Sequence, residues 1–158
     1  TDPMSFPWPY LLLLIPAVPL ARDDFRMRRV AVVWLAALGA GCFGVAWGMQ
    51  GLETTLLDTA LNTALLVLFA LTLTGWHLLR GKPLRTFFRS SFGSGDVVMM
   101  LAVTPLFSPV GYVRFLLAGC VAALAWWCVK RPATLPLAGI LSLVLGGFVL
   151  CKTFGLWN

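Results

Sequence analysis

At 158 residues, with 59% hydrophobic and only 11% charged side chains and a mean hydropathy of +0.89, the chain is too apolar for an ordinary soluble domain. Apolar segments take up nearly all of it, which leaves room for one membrane domain and none for a sizeable soluble one. The net charge of +6 does not call for a nucleic-acid partner, because the basic residues are interleaved with apolar segments and bilayer orientation accounts for them.

In chain order, Thr1-Asp2-Pro3 reads as a remnant ahead of a natural start at Met4. Leu11 to Leu14 has the look of a signal-peptide core, but no basic segment precedes it and Pro16 and Pro19 interrupt it, so it is read as a first span. Apolar runs near the roughly 20 residues that cross a bilayer then predict spans over Trp8–Ala21, Val30–Met49, Leu56–Leu79, Asp96–Phe107, Val110–Val129 and Leu135–Trp157. The first and fourth are short and contain or border prolines. The expected fold is therefore all-α, a polytopic membrane protein of about six transmembrane helices forming a single domain over 1–158.

The charges agree with that count. Ten of the twelve basic residues fall in alternate connections: Arg22, Arg26, Arg28 and Arg29; then Arg80, Lys82, Arg85 and Arg89; then Lys130 and Arg131. By the positive-inside rule these three connections are cytoplasmic, and both termini face the other side. The expected location is the inner, cytoplasmic membrane.

Of the six acidic residues, Asp2 is in the remnant and Glu53 in a predicted outer loop. Asp23 and Asp24 follow the first span, and Asp96 opens the fourth within Gly93-Ser94-Gly95-Asp96. The alternation thus sets two carboxylate positions at the same depth on the same side. A carboxylate at hydrocarbon is costly and usually functional. Two that share one proton can work as base and acid, one taking a proton from water while the other donates to a scissile carbonyl. Simpler readings exist for each alone: solvated loop charge for Asp23 and Asp24 among four arginines, and helix capping for Asp96.

These residues resemble the prepilin peptidases, the type IV leader peptidases of the GxGD aspartyl protease class. Three segments carry the resemblance. The first is Asp24-Phe25-Arg26-Met27-Arg28-Arg29-Val30, an aspartate after a span with an aliphatic residue six positions on; counted from Asp23, that position is Arg29. The second is Gly93-Ser94-Gly95-Asp96, and the third is Leu135-Pro136-Leu137-Ala138-Gly139 at the opening of the last span. The resemblance implies catalysis by Asp24 and Asp96, with Gly93 and Gly95 as backbone support and no cofactor or metal. The implied partners are the lipid bilayer and a pilin-like precursor, cleaved at its basic leader on the cytoplasmic face. The chain departs from the family at Ala31, where proline is frequent, and at Val98, where lysine is usual. It also lacks the cysteine-bearing insert linked to N-methylation. Because both the loops and such leaders are basic, the substrate's apolar helix is expected to dock against the spans.

Two other functions fit the same residues: a catalytically silent relative serving as an assembly subunit, favoured by Val98, and a small transporter, favoured by Asp58 and Asn62. These two lie four apart on one face of the third span, where an interhelical hydrogen bond is the plainer expectation. His77 and the tryptophans Trp8, Trp47, Trp126, Trp127 and Trp157 suit membrane interfaces. Gly44 and Gly48 have the spacing of internal helix packing. The scattered Cys42, Cys120, Cys128 and Cys151 are expected as small core residues, with no zinc or disulfide pattern.

Overall fold

The computed structural model describes residues 8–27, 32–80, 94–131 and 136–154. Within them the chain is helical with no strand. A 3-10 segment, Trp8–Leu13, leads into α1 (Leu14–Met27), followed by α2 (Val32–Gln50) and α3 (Leu52–Leu79). Next come α4 (Ser94–Ala102), a 3-10 turn (Thr104–Leu106), α5 (Pro109–Lys130) and α6 (Leu137–Thr153). Three helical stretches are long and apolar enough to cross a membrane, Val32–Gln50, Leu52–Trp76 and Pro109–Lys130, while Gly95–Leu106 and Leu137–Thr153 are apolar but shorter. Among the described residues six helices of unequal length thus overlap the six expected spans, three of them long and apolar enough to cross a membrane.

Local chemistry explains the boundaries. Gly51 joins α2 to α3 at φ 85, a left-handed conformation that favours glycine, so two long helices are separated by one residue. Ser108 caps α5 by accepting from the Gly111 N–H, and Pro109 stands at the first helical position, where its missing N–H is harmless. Pro105 keeps the chain between α4 and α5 out of a regular helix, which is why α4 stops after nine residues.

The core is formed by one face each of α1, α2, α4 and α6, with Leu13, Leu20, Leu38, Cys42, Met99, Val103, Leu141 and Leu145 buried together. Tyr112 ties α5 to α4 by donating from its hydroxyl to the Met100 carbonyl at 3.0 Å. The outer faces are apolar too. Leu57, Leu68 and Leu71 of α3 are about 60% exposed, at 60%, 62% and 63%. Helices hydrophobic all round, with large apolar side chains on the outside, fit lipid and not water as their surroundings.

The expectation that the cysteines are core residues holds for Cys42 alone; Cys120 and Cys128 are exposed and Cys151 half-buried, since they fall on the outward faces of α5 and α6. Gly44 and Gly48 also differ from expectation, because a Cβ built on either would meet nothing within 4 Å, so no helix packs there. Gly39 and Gly41 are the packed pair, against Ala102 and Leu13. Trp47 and Trp127 are exposed, and Trp126 packs edge-on against Phe25 at 5.3 Å. Trp8 and His77 as side chains, Trp157, Ala31 and Gly93 lie outside the described residues.

Candidate active site

The start of α6 organises the site. A helix begins with backbone N–H groups that have no partner within it, and the residue before the first turn usually supplies a side-chain oxygen. Here that residue is Pro136, which provides no side-chain hydrogen bond. The donors go to two other helices instead. Gly139 N–H donates to Asp24 Oδ2 at 2.6 Å, and Ala138 N–H donates to Asp96 Oδ1 at 2.9 Å. Asp24 reaches over from the last turn of α1, and Asp96 from the first turn of α4. The two carboxylates therefore meet on consecutive peptide units, whose Cα atoms are about 3.8 Å apart.

Both bonds point to the positive end of the α6 dipole, the place where a helix best receives an anion. Asp24 is 6% exposed and Asp96 half-buried. Asp23 is also half-buried, on the helix position beside Asp24. Choosing Asp24 from the spacing to Val30 thus selects the member of the pair that reaches α6. The loop placement of Asp24 is corrected: α1 continues to Met27, past the expected end at Ala21, so Asp24 is a helical residue directed inward. Solvated loop charge does not describe it.

Gly139 is what allows the approach. A Cβ at this position would lie 3.0 Å from Phe25 Cε2 and 3.1 Å from Asp24 Oδ2, tighter than ordinary contact. Phe25 in turn rests on Trp126 of α5, so a small residue on α6, a carboxylate and an aromatic pair fix one another. Gly95, expected as backbone support, is helical, the second residue of α4.

Val98, where the resembled leader peptidases usually carry lysine, is 46% exposed. Residues two apart on a helix do not share a face, so position 98 is directed away from the side of α4 that carries Asp96. Among the described residues no group of three or more His, Cys, Asp or Glu could hold a metal ion.

A groove of about 510 Å³ opens between α2 and the 3-10 segment with the start of α1, with Leu12, Ile15 and Pro16 on one wall and Gly41, Gly44 and Gly48 on the other. The absence of side chains at those glycines creates it. The motif spacing could foretell Asp24 and Asp96 as a pair. The groove, and the role of the Ala138 and Gly139 amides, could not be foretold; the one signal was a proline before small residues where a capping side chain is normal.

No family model, curated protein or solved structure matches the chain. Its function is therefore argued from the geometry.

Proposed function

We propose that the protein is an intramembrane aspartyl endopeptidase of the prepilin peptidase type, with Asp24 and Asp96 as its catalytic pair. One observation carries this reading: carboxylates 72 positions apart in the chain accept from consecutive amides of a single helix start. A proton shared between them leaves one as general base and the other as general acid. The base removes a proton from water, and the resulting oxygen attacks the scissile carbonyl while the acid protonates the carbonyl oxygen. Collapse of the tetrahedral intermediate breaks the C–N bond: the leaving nitrogen takes a proton from the pair, and a hydroxyl of the intermediate returns one to it as the C=O bond re-forms. The chemistry uses no metal and no covalent enzyme intermediate.

The fitting substrate is a pilin-like precursor with a basic leader followed by an apolar helix. The groove supports that choice. It lies between α2 and the 3-10 segment with the start of α1, so an apolar helix seated there would pack beside the helix whose last turn carries Asp24. On this reading the Asp24 and Asp96 ends of α1 and α4 are at the cytoplasmic face of the inner membrane, in keeping with the basic connections, and the termini are on the other side.

A second reading is favoured by the same bonds. Asp24 and Asp96 cap α6 from neighbouring helices, which a silent assembly subunit would need as well. Asparagine separates the two, because its carbonyl oxygen still accepts from an amide but it cannot exchange the proton. Asp24→Asn and Asp96→Asn should each keep the wild-type melting profile and lose cleavage of a reconstituted precursor by at least about 100-fold, the lower range for a positioned acid or base. Normal cleavage by Asp96→Asn would overturn the mechanism. Wild-type protein that cleaves no precursor with a basic leader and apolar helix would favour the assembly role.

A further inference from the structure

A second polar region lies on α3, and catalysis does not use it. Thr55, Asp58 and Asn62 recur at the spacing of one helical face and are all buried, at 0%, 7% and 0% exposed. They belong to the apolar stretch Leu52–Trp76, where buried polar groups are expensive and call for partners.

The donors on this face are already committed. Asn62 Nδ2 donates to the Thr104 carbonyl at 2.8 Å and to the Phe107 carbonyl at 2.7 Å, which uses both of its hydrogens. The Thr55 hydroxyl donates to the Gly51 carbonyl at 2.8 Å, and the Thr59 hydroxyl to the Thr55 carbonyl at 2.6 Å. Lone pairs are what remain. Asn62 Oδ1 is fully buried and receives no hydrogen bond. The amide cannot be turned to relieve it, since that would set its oxygen against two carbonyls. One turn away, Asp58 brings two more acceptor oxygens, and among the described residues it forms no ion pair or hydrogen bond. Side chains four apart on a helix have Cβ atoms about 5–6 Å apart, close enough to converge on one small ligand.

We propose that Asp58 and Asn62 Oδ1 bind a small, hard monovalent cation of the sodium class. Oxygen ligands without nitrogen or sulfur suit a hard ion. One carboxylate balances one positive charge, whereas a divalent ion would leave an excess charge in apolar surroundings. Asp58 keeps an exposed edge through which the ion enters, and Asn62 forms the inner end, anchored to the turn between α4 and α5. The bound ion thereby joins α3 to that turn.

The test is thermal unfolding of the full chain in detergent, in sodium chloride and in choline chloride at equal ionic strength. A ligand that binds only the folded state at ten times its Kd should raise Tm by roughly 3–6 °C. The rise should saturate with sodium and vanish in Asp58→Asn. An equal Tm in both salts, or a sodium-dependent rise retained in Asp58→Asn, overturns the proposal. Sodium-23 line broadening by the wild-type protein gives a reading independent of any variant's folding: a linewidth equal to that of protein-free micelles also overturns it. Neither measurement involves cleavage, so the cation site and the peptidase reading fail separately.

Discussion

Asp24 and Asp58 are nearly equally buried, at 6% and 7% exposed, yet their surroundings are opposite. Asp24 ends on a backbone amide at the positive end of a helix that has no cap of its own, and Asp96 takes the next amide. Asp58 lies among acceptors, with the hydrogens of Thr55 and Asn62 already directed elsewhere. Burial alone therefore says little about what a carboxylate does. What distinguishes the two regions is the supply of donors: the first holds an anion in place, and the second invites a cation. Helix α4 lies between them, with Asp96 in its first turn and the Asn62 clamp just beyond its last.

The contrast breaks most severely at Gly139. Gly139→Val would drive side-chain atoms into Phe25 and the Asp24 carboxylate. Displacing a catalytic group by even about 1 Å can cost about 100-fold in rate, so turnover should fall by that order. Overpacking should also lower stability by about 1–3 kcal/mol. Precursor cleavage and denaturation of the same preparation measure the two effects. A variant that unfolded no more easily and cleaved at the wild-type rate would show that the close approach at α6 is not needed.

A smaller effect is expected in the other region. Asn62→Leu removes the amide that serves the Thr104 and Phe107 carbonyls, and buried acceptors deprived of a partner cost about 1–3 kcal/mol. Stability should drop by that amount, while precursor cleavage at a temperature well below the melt should change little. A loss of activity as large as that of Gly139→Val would mean that the regions are coupled through α4. The finest probe is Tyr112→Phe, which removes the hydroxyl bond to Met100 on α4 and leaves the ring in place. It should cost about 1 kcal/mol in chemical denaturation, with no change in the precursor concentration giving half-maximal rate.

Much of the fold was legible in the chain. Apolar runs overlapped each of the described helices, because a helix in hydrocarbon must satisfy its backbone internally, although α1 continues past its apolar run into charged residues. Pro105 marked the turn after α4, whereas Pro16 and Pro19, expected to interrupt the first span, lie inside α1. Side-chain direction was less legible. Cys120 and Cys128 looked like core residues, and Gly44 and Gly48 like a packing face, yet the cysteines are exposed and the glycines line an open groove. In a helix apolar on every side, hydrophobicity no longer tells inside from outside, and the amphipathic signal that marks a core face in water is missing.

The resemblance to the leader-peptidase motif chose Asp24 over Asp23, and matching depth suggested its pairing with Asp96. Composition and charge alternation sufficed for an all-helical, membrane-suited chain with two carboxylate positions at one level, because these properties depend only on local residue type and order. Tertiary structure alone decided what each carboxylate meets. The amides of Ala138 and Gly139, the room left by Gly139 and the donor-poor face of Asp58 arise where segments distant in the chain pack together. Hydrogen bonding acts over less than about 3.2 Å, a scale at which sequence order carries almost no information.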